Sequence, residues 1–419
     1  MKRHLWLLLL LASIGSASGT YTTGTAFPTI VVDNNAGDQS VPRVSGNYAS
    51  YDIATVGGAN LIGYYSFSPS GNGTVPSAAN FIDSLSDVNG SNIVFTRFNT
   101  ITGASSIFKY VIGGASSEVA PVAAPAIPLR SNPSIGSNTI AWEDMAVSAD
   151  NSTEIVLTTD GITTTRVTND ALADQNPNVS PSGDMVVWEK CTVSTCDVYA
   201  ARLATGWTAT PVAATSANET WPDTNGVQIV FASNAGGVQH VYVTTLGGVA
   251  TQIPSPTTTQ DRPAIANNFV AYEGGTVSSH DIYVYDLATG ITRQITDTPA
   301  DNELLSDIAV SGTTVRVVWQ VGGDVYATEF SIGSPDQLIS DLIDTIESFN
   351  LQQGIANSLE AKLTAAQASL AAGDTTAACN EIGAFINEVE AQSDKKLKVP
   401  EANQLKTLAQ QLQQSLGCP

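Results

Sequence analysis

The sequence predicts a mainly β protein: a seven-bladed β-propeller, with six or eight blades as alternative counts, followed by a small all-α helical bundle. Three observations predict it: a phrase of short β segments repeated at near-constant intervals, a change to helical apolar spacing after Gly333, and abundant Gly with few charges. Of the 419 residues only 13% are charged, yet 39 acids stand against 17 bases, a net charge of -22. So small a stock of Lys and Arg argues against nucleic acid and anionic membrane as partners. With 42% hydrophobic residues the chain can build real cores, so its acidity does not signify disorder.

Met1 to His4 form a short basic leader, Leu5 to Leu11 with Ala12 an apolar run too short to span a bilayer, and Gly15 to Gly19 a run of small residues. Residues 1–19 are therefore expected to be a secretory signal peptide, cleaved between Ala17 and Thr20. No later window is apolar enough to predict a membrane span, and the mature protein is expected to be secreted or periplasmic. The Cys residues fall into two local groups, Cys191 with Cys196 and Cys379 with Cys418. In an exported chain an even count reads as disulfides before metal ligands.

The repeat runs through most of the chain. A polar or Pro-containing opening leads into a β segment, a Gly or Asn turn, and an apolar run ending in an aromatic residue, as in Asn176-Pro177-Asn178-Val179 into Met185 to Trp188. From Val44 through Val88, Ile135, Val179, Thr224 and Ile265 to Ile308 the steps are 44, 47, 44, 45, 41 and 43 residues. A second phrase follows, clearest as Asp281-Ile282-Tyr283-Val284-Tyr285-Asp286-Leu287, then a turn and one more β segment. Four short strands in such a period mark a propeller blade, which buries its two faces only against neighbouring blades. Trp142, Trp188 and Trp319 end second strands and are expected in the core. Asp197, Asp281 and Asp324 recur once per blade and are expected to share a structural duty. Thr29 to Asp33 matches the last strand of a unit, while the seventh unit stops near Phe330, so the N-terminal strand is expected to complete the final blade.

These phrases resemble the TolB-like, WD40-like propeller repeats, best in Asn176 to Leu203 and Arg262 to Gly290. The resemblance covers residues 27–333 and implies a closed propeller. Several units lack the Ser-Pro pair of that pattern.

After Gly333 four helices are expected: one from Pro335 with Leu338, Ile339, Leu342, Ile343 and Ile346; one from Gly354 to Gly373; one capped by Asp374-Thr375; and one from Pro400. Antiparallel packing of the last two brings Cys379 toward Cys418. Residues 335–418 resemble the FIMAH domain of exported proteins through Gly354-Ile355-Ala356-Asn357-Ser358-Leu359 and Ala384-Phe385-Ile386-Asn387-Glu388-Val389. That resemblance implies an accessory module and carries no chemistry. Phe385 and Ile386 read equally well as bundle core.

The sequence has no Gly-rich phosphate loop ending in Lys-Ser/Thr, no GxSxG and no HExxH, and beyond the leader only His240 and His280. Acidic residues at blade openings remain as candidates: Asp38, Asp174, Glu219, Asp261, and the region Asp301 to Asp307 with Glu303. Asp and Asn before Pro are first of all turn formers. Were these carboxylates to converge at one channel mouth, they would favour a hard cation such as calcium, or hydrolyse a glycosidic bond. Trp221 opens a unit where others have Asn or Arg, a position suited to stacking on a sugar or peptide. No cofactor is predicted. The resulting expectation is a non-catalytic binder of a protein or glycan at the cell envelope or outside the cell, through propeller loops that carry Asp38, Asp174, Glu219, Trp221, Asp261 and Glu303. The alternative is an extracellular polysaccharide hydrolase or lyase using acids at the mouth.

Overall fold

In a computed structural model the described residues are 27–418, apart from 28, 56–59, 122–126, 149–150, 277–278, 289, 291, 299–300, 332 and 417. The leader and its cleavage point lie outside the described residues.

Seven four-stranded antiparallel sheets make seven blades. Their innermost strands are Asp38–Ser45, Phe81–Asn89, Arg130–Gly136, Ala173–Val179, Glu219–Thr224, Thr259–Ala266 and Leu304–Ser311, for blades 1 to 7 in order. Six blades are contiguous in sequence. Blade 7 takes its outer strand from the other end of the propeller: Thr29–Asp33 pairs antiparallel with Asp324–Ser331, Thr29 facing Thr328 and Val31 facing Tyr326. The ring is thus closed by backbone hydrogen bonds, as the unpaired first segment and the incomplete seventh unit predict.

Between blades the core is apolar because both faces of every sheet are covered. The aromatic that ends each second strand is buried: Tyr51, Phe95, Trp142, Trp188, Phe231, Tyr272 and Trp319. In five blades it lies beside the aromatic directly opposite on the third strand. Trp188 and Tyr199 have ring centroids 6.1 Å apart, Tyr272 and Tyr283 5.6 Å. Such cross-strand pairs explain why the tyrosine of the second phrase recurs with the blades.

Every inner strand is interrupted at the same point. Val41, Leu85, Asn132, Asn176, Trp221, Arg262 and Leu305 all have left-handed backbones, with φ from 44° to 55°, and the pairing register with the second strand shifts there. These are β-bulges. The next residue is Pro in five blades and Ser86 or Ser306 in the other two. Pro suits this place because the broken ladder would strand its amide, and Pro has none.

Helices α1 (Pro335–Ser348), α2 (Gln353–Ala371), α3 (Thr375–Gln392) and α4 (Val399–Leu416) form the bundle. Ser334 caps α1 by accepting the Gln337 amide, and Asp374 caps α3 by accepting the Ala377 amide. Leu342, Ile346, Leu359, Leu363, Phe385 and Leu405 fill its core, with Ile386 partly buried at its edge. Cys379 and Cys418 are disulfide-bonded, as are Cys191 and Cys196 across a hairpin of blade 4. Among the described residues no helix is long and apolar enough to cross a membrane.

Truncating Trp188, which is fully buried, to Ala is expected to cost about 3–5 kcal/mol. Truncating the exposed Ile162 should cost under about 0.5 kcal/mol. Urea unfolding of the two variants checks this contrast, and equal midpoints would refute the inter-blade core as described.

Candidate functional site: the axial channel

The bulge orders the polar residues of each inner strand into three levels. Two positions before it lie Gln39, Asp83, Arg130, Asp174, Glu219, Gln260 and Glu303, all at most 5% exposed. These face into their own blades. Asp174 accepts from the Trp188 indole at 2.7 Å and from Lys190 at 3.2 Å. Glu219 accepts from Thr215 at 2.6 Å, Glu303 accepts from the Thr298 hydroxyl, and Asp83 receives Arg97 at 2.7 Å.

At the bulge itself the side chains form a half-buried collar. Neighbouring members touch around the ring: the Asn132 amide donates to Asn176 at 3.0 Å, and the Arg262 guanidinium lies 5.0 Å from the Trp221 ring centroid. Leu305, Val41 and Leu85 make one apolar arc of this collar; Asn132, Asn176, Trp221 and Arg262 make the polar and aromatic arc opposite.

The left-handed backbone turns each bulge amide out of its own sheet, and in six junctions the second strand of the preceding blade captures it. Asp52 accepts the Leu85 amide at 2.8 Å, Thr96 that of Asn132 at 3.1 Å, Glu143 that of Asn176 at 2.9 Å and Glu189 that of Trp221 at 2.8 Å. Glu273 accepts from Leu305 at 2.6 Å and Gln320 from Val41 at 3.2 Å. Blade 5 has Ala232 at this position, and there the Arg262 amide is taken by its own neighbour Asp261 at 2.9 Å.

Two positions past the bulge the ring consists of Arg43, Asp87, Ser134, Asn178, Asp223, Ala264 and Asp307. Asp223 of blade 5 and Asp307 of blade 7 repel one another, and Arg43 of blade 1 acts on Asp87, Asp223 and Asp307. These charged residues hold the same inner-strand position in different blades, and their charges influence one another even between blades that are not neighbours. Each carboxylate also accepts backbone amides with both oxygens, as Asp307 does from Val44 at 2.8 Å and Ile308 at 2.9 Å. Burial pushes Asp223 up to about 7, with Asp307 adding to the rise, and pushes Asp307 up to about 6 against the pull of Arg43. Burial likewise raises Asp52 to about 7 against its amide bonds, and raises Asp87, Glu143, Glu189 and Glu273. Among the described residues the axial ring therefore holds three carboxylates raised by burial, Asp223 to about 7 and Asp307 to about 6, together with the permanent cation of Arg43.

Of the residues expected at the mouth, Trp221 stands in the collar beside Arg262, and Asp261 immediately precedes Arg262 and accepts its amide. Asp38 is half-buried against Gly323 of blade 7. Asp174, Glu219 and Glu303 do not converge there: they are 0–1% exposed and bonded within their blades. Asp197, Asp281 and Asp324 begin third strands, where Asp281 accepts the Thr298 amide at 3.2 Å. Arg43, Asp87 and Asp223 escaped the sequence reading, although their constant place two residues past the bulge was a readable signal. The Glu189 carboxylate approaches the sulfurs of Cys191 and Cys196, but the disulfide leaves those sulfurs no thiolate to offer a metal.

Residues 336–414 match the FIMAH domain family, so the bundle is a FIMAH domain. None of the curated proteins matches the sequence. Among solved structures the chain is similar to a puromycin hydrolase, at 12% identity and TM-score 0.52 over 71% of this chain and 52% of that one. It is similar to the Pyrococcus horikoshii acylaminoacyl peptidase at 13% identity and TM-score 0.51, over 71% and 52% of the two chains. The β-propeller domain of the Trilobed protease from Pyrococcus furiosus aligns at 14% identity and TM-score 0.51, over 71% of this chain and 95% of that one. The chain spans about half the length of the first two. The expectation of a non-catalytic envelope binder is corrected by these matches, because the aligned propellers belong to peptidases. Of the acids on which the glycan-cleaving alternative relied, Asp174, Glu219 and Glu303 are buried in their blades, whereas Asp38 and Asp261 are half-buried.

A carboxylate whose pKa is higher folded than unfolded takes up a proton on folding, so its contribution is fully present below the unfolded value and is lost as pH rises through the folded one. With Asp52 and Asp223 near 7 and Asp307 near 6, the melting temperature should climb as pH falls from 8 to about 5. Thermal scans across that range check it. A flat or falling Tm would contradict the buried carboxylates, and Asp223→Asn should flatten part of the climb.

Proposed function

We propose that the propeller is the substrate-receiving part of a peptide-processing system, admitting a polypeptide at the collar and drawing a basic side chain or free N-terminus onto the axial carboxylates. The carrying observation is the ring position two residues past the bulge, where among the described residues Asp87, Asp223 and Asp307 are accompanied by the single cation Arg43. A charge deficit held in a narrow, partly desolvated channel attracts cations more strongly than the same charges on an open surface. The collar adds a sorting element. A peptide passing it meets an apolar arc on one side, and on the other the Trp221 face and the side-chain amides of Asn132 and Asn176.

The similarity to peptidase propellers supports peptide over glycan as the substrate class. The reaction that would follow is cleavage of a peptide bond, by groups outside this propeller; the sequence has no GxSxG motif. We also propose export, directed by the leader ending near Gly19. Two disulfides support an oxidising compartment.

Calorimetry with two unstructured decapeptides tests this reading, one opening with free Lys-Arg and one acetylated and opening with Glu-Glu. The basic peptide should bind at pH 8, lose about tenfold in affinity at pH 5.5 as Asp223 and Asp307 take up protons, and weaken with salt. In the Asp223→Asn, Asp307→Asn double variant it should bind about tenfold more weakly at pH 8. Equal affinity for both peptides, or affinity indifferent to the double substitution, would remove the axial ring from the proposal.

A further inference from the structure

The blade junctions are not equally fastened. At the axial level, the residue two past the bulge usually reaches the next blade: Asp87 accepts the Ile135 amide at 2.8 Å, Ser134 that of Val179 at 3.0 Å, Asp223 that of Ile265 at 2.6 Å and Asp307 that of Val44 at 2.8 Å. Between blades 4 and 5, Asn178 donates to the Pro222 carbonyl at 3.2 Å. Two junctions have no such acceptor, because Arg43 stands at the position in blade 1 and Ala264 in blade 6. The first is made good nearer the mouth, where Asp52 accepts both the Leu85 and Ser86 amides and Ser86 meets Ser50 at 3.1 Å. The junction of blades 6 and 7 keeps the Glu273 bond to Leu305 at the mouth, and farther out His280 bonded to Asn302. At the axial level no side-chain hydrogen bond joins these two blades among the described residues, and Ala264 and Ile308 meet there only as members of one apolar cluster.

That same junction carries the helical bundle on its outer flank. Arg293 stands on the outermost strand of blade 6, Thr292–Gln294, and pairs with Asp341 of α1, its Nε 3.1 Å from the carboxylate. The side chains are 7% and 1% exposed. Gln337 supports Asp341 with a bond of 3.0 Å. The Arg293 guanidinium also lies 5.8 Å from the ring centroid of Phe330 on blade 7, and Phe330 in turn packs on Phe27 at 5.1 Å, just ahead of the closing strand. One buried cation therefore joins blade 6, blade 7 and the bundle beside the place where the ring is closed. Neither member of such a pair tolerates burial without the other, so the contact is either made in full or released.

We propose that the helical bundle is a clasp on the joint between blades 6 and 7: docked through Arg293 and Asp341 it holds the ring shut from outside, and undocked it loosens the joint that has no axial hydrogen bond and rests there on apolar packing alone. This gives the bundle a conformational duty that its fold alone does not disclose. The proposal stands apart from the peptide reading and does not need it.

Hydrogen exchange read by mass spectrometry on the full-length protein tests it. In Asp341→Asn, amides of Thr259–Ala266, Asp324–Ser331 and Thr29–Asp33 should exchange at least tenfold faster, while Asn92–Asn99 and Thr139–Asp144 on the far side stay as in the wild type. The bundle should keep its own protection, since its core and the Cys379–Cys418 disulfide are untouched. The swapped pair Arg293→Asp with Asp341→Arg should restore protection to blades 6 and 7. Gln337→Ala, a milder change, should give the same local pattern at smaller amplitude, and it decides the matter should Asp341→Asn not fold. Unchanged exchange in blades 6 and 7, or an equal rise in every blade, would overturn the clasp.

Discussion

The architecture depends on a captured amide at six of its seven blade junctions. A left-handed residue at a fixed point of the inner strand breaks its own ladder and points its N–H toward the preceding blade, and in six junctions a side chain of that blade accepts it. A buried amide without a partner costs about 1–3 kcal/mol. The penalty falls due only when blades are misplaced, so the bonds fix registry between sheets that apolar packing alone would allow to slide. Most acceptors are carboxylates, and much of the acidity that the sequence displays as surplus charge works inside the ring as fastening.

The same bulge sets the chemistry of the axis. Side chains alternate along a strand, and an inserted residue resets which of them face inward. Ahead of the bulge, Asp174, Glu219 and Glu303 turn into their blades and are hydrogen-bonded there. Past it, Asp87, Asp223 and Asp307 turn to the lumen, where burial raises all three and a neighbouring carboxylate adds to the rise of Asp223 and Asp307. The channel has a variable charge without containing a single His.

This is also why the sequence disclosed the ring but not its working residues. Blade number, the lent N-terminal strand, the four helices and the paired cysteines follow from periodic patterns, because each blade and each helix solves the same packing problem again. The bulge leaves a weaker trace. Asn132 and Asn176 are residue types that accept a left-handed backbone, but Trp221, Arg262, Val41, Leu85 and Leu305 are not, so only tertiary context holds them there. Without the bulge, Asp before Pro reads as a turn at the mouth, and residues on opposite sides of the interruption look alike. Functional class was legible least of all, since a propeller serves unrelated activities and the side chains that differ between blades are few.

The closing strand has a consequence for biogenesis. Thr29–Asp33 is synthesised first, yet its partner, Asp324–Ser331, belongs to the last blade to emerge. Throughout translation an unmatched β edge must accompany the nascent polypeptide, a template for adventitious pairing until the seventh sheet arrives. Latching must then wait for the seventh sheet, and it fails for any chain shortened before that sheet, however well its earlier blades have formed.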